Sequence, residues 1–291
     1  MSTNASRVAL SELHCPLVST ASLVDLYDLL LLDAYGVLVH ATAAIDGASD
    51  LLRTIRSANK DFLVVTNDAS RLPETAARRF QSYGLKIEAE QIVTSGSLLV
   101  PFFHKTGLAG ARCMVLGPED SFEYVRQAGG DPHPPSIDGH FDAFIVCDDA
   151  GYPFLETMDI VLSSLCRHYD EGHSPDLILP NPDVIYPKGD KTYGFTSGGA
   201  ALLLETALGQ RYPQERPTFA RLGKPFGPMF REVKRRAGDP TMVMVGDQIE
   251  TDIIGARSAG IDAVLVDTGI ANWEHTMVEP AWAPTYRLTS L

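Results

Sequence analysis

Apolar positions along the chain recur with two different periods. Leu29-Leu30-Leu31-Leu32, bounded by Asp28 and Asp33, is an unbroken apolar run of strand length, the pattern of a strand buried on both faces. Residues 46–58 instead bring Leu51, Leu52 and Ile55 to one side at helical spacing. Asp61-Phe62-Leu63-Val64-Val65-Thr66 predicts a second buried strand. Pro73 opens a helix at its first turn, which runs through Ala76, Phe80 and Tyr83 and closes at Gly84. Residues 92–95 and a helix after Ser97 continue the alternation.

From about Gly110 the pattern restarts. Strands are predicted over residues 112–117, 141–148 and 176–180, and helices over 118–128 and 154–168. Gly129-Gly130-Asp131-Pro132-His133-Pro134-Pro135 has the composition of a loop. Helices follow at 198–208 and 226–236, the second with Lys234, Arg235 and Arg236 in its last turn, where they suit the helix dipole. A strand at 241–246, a helix at 251–259 closed by Gly260, and a strand at 262–267 complete the series.

Strands alternating with helices predict an α/β fold: a Rossmann-like, mainly parallel sheet covered on both faces. The restart predicts a second α/β unit inserted into the first. The core would comprise residues 1–99 and 197–291, with an inserted cap domain at 100–196. No repeat at solenoid spacing and no low-complexity tail interrupts this scheme.

Composition adds exclusions. The chain is 45% hydrophobic and 21% charged, and 24 Lys+Arg against 37 Asp+Glu give a formal net charge of −13. That field repels nucleic acid and anionic membrane surfaces and tolerates a divalent cation. Cys15, Cys113, Cys147 and Cys166 are scattered without CxxC spacing, which argues against a disulfide framework or a zinc site. The first residues lack a basic stretch followed by an apolar core, and no run approaches the roughly 20 apolar residues of a membrane span. A reducing cytoplasm is the expected setting.

Asp33 and Asp247 both follow apolar strands, so a parallel sheet would carry both carboxylates to one edge, where open α/β sheets place their chemistry. Converging carboxylates form a hard-oxygen site suited to Mg²⁺. Asp252 could join them directly or through water, Lys224 would neutralise charge, and Thr66 offers a hydroxyl and a backbone N–H to an anion. Nucleophile, metal, lysine and hydroxyl are the parts needed for transfer through an aspartyl-phosphate. Taken singly, each has an ordinary structural role: turn former, solvated lysine, strand-end hydroxyl, acid at a helix start. Their order and shared strand-end context are what independent roles do not explain.

Asp33-Ala34-Tyr35-Gly36-Val37-Leu38, Val65-Thr66-Asn67, Gly223-Lys224-Pro225, and Gly246-Asp247 with Thr251-Asp252 resemble the four motifs of the haloacid dehalogenase superfamily. The long insertion between the second and third is similar to that of its class IIA, C2-cap branch, the NagD-like hydrolases. Val93-Thr94-Ser95-Gly96 fits that branch, and Pro180-Asn181-Pro182-Asp183 is similar to its substrate-specificity loop. The lead-in Leu23-Val24-Asp25-Leu26-Tyr27-Asp28 resembles a subgroup with an aromatic residue two places after the nucleophile.

The resemblance implies Asp33 as nucleophile and metal ligand, the Tyr35 carbonyl and Asp247 as further Mg²⁺ ligands, and Asp252 in support. It implies Thr66 and Asn67 as phosphate holders, Lys224 as charge balance, and Asn181 and Asp183 facing substrate from the cap. It also implies a homodimer through the caps. Tyr35 stands where phosphatases of the superfamily carry the aspartate that protonates the leaving group. A phenol with a pKa near ~10 replaces it poorly, and losing general acid–base help typically costs on the order of 10²–10⁴-fold in rate. Tyr35 could equally be an aromatic that fills the cleft beneath the cap. The expected function is a Mg²⁺-dependent phosphatase of small phosphorylated metabolites, slow or reliant on an acid from Asp148, Asp149, Asp183 or the substrate. The alternatives are a 2-haloacid dehalogenase-like hydrolase and a non-catalytic phospho-ligand-binding protein; the clustered carboxylates argue against the metal-free dehalogenase.

Overall fold

A computed structural model describes residues 7–189, 192–268, 271 and 273–291. The chain divides into two compact units. The first takes the described residues of Met1–Thr66, Pro73–Val93 and Lys224–Leu291; the second takes Asn67–Leu72 and Thr94–Gly223.

The first unit is built on a six-stranded sheet in the order Tyr286–Leu288, Asp262–Val266, Met242–Gly246, Leu29–Leu32, Asp61–Thr66, Ile92–Thr94. The pairings from Tyr286–Leu288 across to Asp61–Thr66 are parallel. All four leucines of the central strand are buried, as a strand covered on both faces requires. Helix Ala48–Ser57 buries Leu51, Leu52 and Ile55, and Pro73–Ser82 buries Ala76, Ala77 and Phe80. Register sets the working edge. Leu32 lies opposite Val245 on one side and Val64 on the other, so Asp33, Thr66 and Asp247 all leave the sheet at its carboxyl end.

The second unit has a five-stranded sheet ordered Ala220–Arg221, Asp176–Leu179, Ala143–Val146, Arg112–Leu116, Asp131–His133, with every pairing parallel. Helices Phe154–Asp170 and Ser197–Arg211 pack Val161, Leu165, Leu204 and Leu208 onto Phe144, Val146 and Leu179. A separate antiparallel hairpin, Ile185–Gly189 with Thr192–Phe195, sets Phe195 opposite Ile185. The parallel α/β architecture expected from the alternation is therefore present in both units.

Several elements differ from the sequence reading. Residues 129–135, read as a loop, contain the strand Asp131–His133, which occupies the sheet edge; there a proline costs no ladder hydrogen bond that a neighbour needs. Residues 197–223, assigned from the sequence to the returning core, lie in the second unit, because Ala220–Arg221 pairs with Asp176–Leu179. The helix expected at 251–259 begins as a π-helical turn, Ile249–Ile253, and is α-helical only over Ile254–Ser258. Among the described residues, no helix is long and apolar enough to cross a membrane.

Candidate active site

Asp33 is fixed by its backbone N–H, which donates to the Val245 carbonyl at 3.0 Å. The chain then folds back tightly: Leu38 and Val39 both donate to the Ala34 carbonyl at 2.9 Å. Gly36 sits in this turn at φ +83°, and a Cβ placed there would lie 2.3 Å from Asp247 Cγ. Only glycine tolerates both the backbone angle and the close approach. Thr268 Oγ donates to the Gly36 carbonyl at 2.9 Å, tying the turn to the segment after Asp262–Val266. A Cβ at Gly246 would likewise fall 2.3 Å from Asp252 Cβ.

These constraints bring Asp33, Asp247 and Asp252 together. All three are buried, and one carboxylate oxygen from each lies within 4.8 Å of the others. Lys224, 2% exposed, donates at 2.6 Å to Asp33 Oδ1 and at 2.6 Å to Asp252 Oδ1. The other oxygen of Asp252 accepts from the Gln248 N–H at 3.2 Å, and Asp252 itself lies in the π-helical turn Ile249–Ile253. Such turns recur at functional sites.

The charges do not balance. Three carboxylates face one ammonium, so carboxylate outnumbers cation in a buried setting. Burial pushes the Asp33 carboxyl up to about 7; Lys224 opposes that rise and Asp252 adds to it. Burial also works against the Lys224 charge, but Asp252 and Asp33 outweigh it and raise the ammonium above the ordinary lysine range. A divalent cation bound through hard oxygens fits both the donor set and the missing charge.

Thr66 ends its strand buried. The Tyr35 ring packs against the apolar core of the first unit and lies beneath the Arg79 guanidinium, 5.1 Å from it. Arg79 was not singled out from the sequence. Its signal is its place on the face of Pro73–Ser82 one turn before Tyr83, whose ring it also covers at 5.6 Å.

The other expected residues gather in the second unit. Asn67 donates through Nδ2 to Asp183 Oδ1 at 2.8 Å, and its carbonyl accepts from Ser95 Oγ at 2.8 Å. Asn181 Oδ1 accepts from the Asp183 N–H at 3.0 Å, and its Nδ2 donates to Thr196 Oγ at 3.2 Å. Ser197 Oγ donates to the Asn181 carbonyl at 2.9 Å. Asn67, Asn181 and Asp183 thus form one hydrogen-bonded group that shapes its own loop. Thr196 and Ser197 complete it, and the sequence reading missed them; the signal was two hydroxyls placed just before a predicted helix.

A parallel α/β sheet whose carboxyl edge gathers three buried carboxylates and a lysine has the parts of a metal-assisted hydrolase site. Comparison with known proteins agrees. A haloacid dehalogenase-like hydrolase model matches residues 30–131, and a HAD-hydrolase-like model matches residues 221–291. Chronophin of Bos taurus is 30% identical over 84% of this chain and 82% of its own. Dihydroxyacetone phosphatase of Corynebacterium glutamicum is 26% identical over 90% of this chain and 88% of its own. Among solved structures, glycerol phosphate phosphatase from Mycobacterium tuberculosis in complex with magnesium has a TM-score of 0.75 at 25% identity, covering 93% of this chain and 76% of that one. The chain belongs to the haloacid dehalogenase superfamily, in its class IIA branch, and is a phosphatase of that family.

Proposed function

We propose that the protein is a Mg²⁺-dependent phosphatase of small phosphorylated metabolites that works through a phosphoaspartate on Asp33. The observation that carries this is the Lys224 bridge between Asp33 and Asp252 beside Asp247. Asp33, Asp247 and the Tyr35 carbonyl would hold Mg²⁺, with Asp252 in support; the ion would supply charge neutralisation at the phosphoryl oxygens. Asp33 attacks phosphorus, the bond to the ester oxygen breaks, and the leaving group departs as an oxyanion that takes its proton from solvent. Water then releases phosphate and restores the carboxylate. Lys224 offsets the charge that builds on the transferring group. Thr66 and Asn67 would hold the phosphate, and Asn181 and Asp183 would bind substrate. The relatives that act on dihydroxyacetone phosphate and glycerol phosphate, by their names, support a small ester as substrate.

The departing oxygen needs a proton, and Tyr35 is a poor donor. Aryl phosphates such as p-nitrophenyl phosphate leave as stable anions and should react well. Alkyl phosphates such as glycerol phosphate should react far more slowly. Tyr35→Asp should narrow that gap, raising alkyl turnover more than aryl. If wild type hydrolyses both classes at similar rates and the variant changes neither, the missing-acid reading is wrong. The same assay run with EDTA should be silent, and 2-chloropropionate should not be turned over.

The second unit supports pairing through itself. Phe195 is 70% exposed, Tyr193 59% and Ile185 48%, and cross-strand register sets Phe195 against Ile185. Apolar side chains so concentrated favour an interface between copies. A homodimer that becomes monomeric in Phe195→Glu, measured by light scattering, is the expected result. A cytoplasmic location belongs to the same proposal, with four free cysteines in its favour.

A further inference from the structure

Besides the carboxylate cluster, the first unit holds a second concentration of charge, and its sign is opposite. Helix Ala48–Ser57 turns Ser49, Arg53, Arg56 and Ser57 along one flank. With Lys86 facing them, these line a cleft of about 390 Å³ floored by Leu52. The lining contains three cations and two hydroxyls and no carboxylate. In a chain with 37 acidic against 24 basic residues, average composition does not account for this.

The cations differ in how they are held. The Arg56 guanidinium donates to the Lys86 carbonyl and lies 5.3 Å over the Phe62 ring, so its planar fork is ordered in advance. Arg53 is paired with Asp50 at 2.9 Å, with both groups largely exposed. The Lys86 ammonium enters no ion pair or hydrogen bond among the described residues. Like charges placed together repel, and an anion that accepts from all of them removes that cost.

We propose that this cleft binds a compact polyphosphate anion of two or three linked phosphoryl groups. The Arg56 guanidinium keeps donors beyond the one given to the Lys86 carbonyl for a phosphoryl oxygen, while Lys86 acts as a point charge. Ser49 and Ser57 are two turns apart, about 12 Å along the helix axis, a span a short phosphate chain covers better than orthophosphate does. The site is separate from the chemistry. Ser57 precedes Asp61, which pairs with Leu29 at the amino end of the sheet, whereas Asp33 follows Leu32 at the carboxyl end.

Calorimetric titration of sodium triphosphate into the intact protein in EDTA tests this. One saturable site is expected, weakening as salt is raised. Affinity should fall roughly tenfold or more in Arg53→Gln/Lys86→Gln, because charge-assisted hydrogen bonds are lost, while Asp33→Asn leaves it intact. Orthophosphate should bind at least about tenfold more weakly, having fewer such bonds to make. Both substituted side chains are exposed, so the melting temperature should hold; should the double variant not fold, Lys86→Gln alone must still weaken binding. Absence of saturable binding, equal affinity in the substituted protein, or loss of binding in Asp33→Asn overturns the proposal.

Discussion

Lys224 reaches two buried carboxylates at the same 2.6 Å, so a single ammonium serves both. Lys224→Ala would strand Asp33 and Asp252 without it, and removing one partner of a buried ion pair costs about 3–5 kcal/mol. Urea unfolding without metal should show a loss of that size, together with loss of turnover. Asp33→Asn should abolish turnover while the fold survives, because an amide is a very poor nucleophile. Gly36→Ala should weaken Mg²⁺ binding, since the new methyl must displace Asp247 or open the turn; calorimetry matching wild type would show that the turn yields more easily than its geometry implies. Asp148 gives a pH signature. Burial lifts its carboxyl to about 6, so the folded chain holds that proton more tightly than the unfolded one. Its stabilising contribution is present at acid pH and is lost as pH rises from about 4 to about 6. Asp148→Asn should flatten that part of a stability–pH curve. The convergence of Asp33, Asp247 and Asp252 with Lys224 was legible because strand ends and glycine turns announce themselves locally. The sequence reading did not reach Arg79, Thr196 or Thr268, whose partners Tyr35, Asn181 and Gly36 lie 15 or more positions away in the chain.

At the scale of elements, Val93-Thr94-Ser95-Gly96 shows why a short motif is constrained. Thr94 Oγ lies 2.6 Å from the Tyr124 hydroxyl, which also donates to the Arg71 carbonyl at 2.5 Å. Gly96 gives way to the same ring: a Cβ there would lie 2.3 Å from Tyr124 Cε2. Tyr124→Phe would leave these buried partners short of a bond, at a cost of about 1–3 kcal/mol. A melting temperature unchanged by that substitution would show that the knot contributes nothing. Ala48–Ser57 and Leu29–Leu32 were legible because their own side chains mark them, by helical spacing in the first and by an unbroken apolar run in the second. Shorter elements were not. Val8–Ala9, Ala220–Arg221 and Tyr286–Leu288 are strands because a partner pairs with them, and two or three residues carry no period. The hairpin Ile185–Gly189 with Thr192–Phe195 was missed for a related reason: its apolar residues stay exposed, so no buried face marks it.

The whole chain is acidic, with a net charge of −13, and its carboxylate cluster retains excess negative charge after Lys224 is counted. A ligand that binds the folded state alone raises its stability by mass action. Mg²⁺ should therefore raise the melting temperature, EDTA should reverse the rise, and Asp247→Asn should abolish it. Two α/β units were legible from the restart of the pattern near Gly110. The place of residues 197–223 was not, because helix Ser197–Arg211 looks the same in sequence whichever sheet it covers, and the pairing of Ala220–Arg221 decides.

The shared lysine has a consequence for the order in which things leave. A phosphate anion approaching Asp33 without a cation meets uncompensated negative charge, and a bound cation offers that anion a coordination position otherwise filled by water. Each should therefore retain the other, by the same factor in both directions. Orthophosphate, the product of turnover, should slow the rate at which EDTA strips Mg²⁺ from the protein. Stripping rates that do not respond to phosphate would mean that the two ligands occupy the cluster without feeling one another.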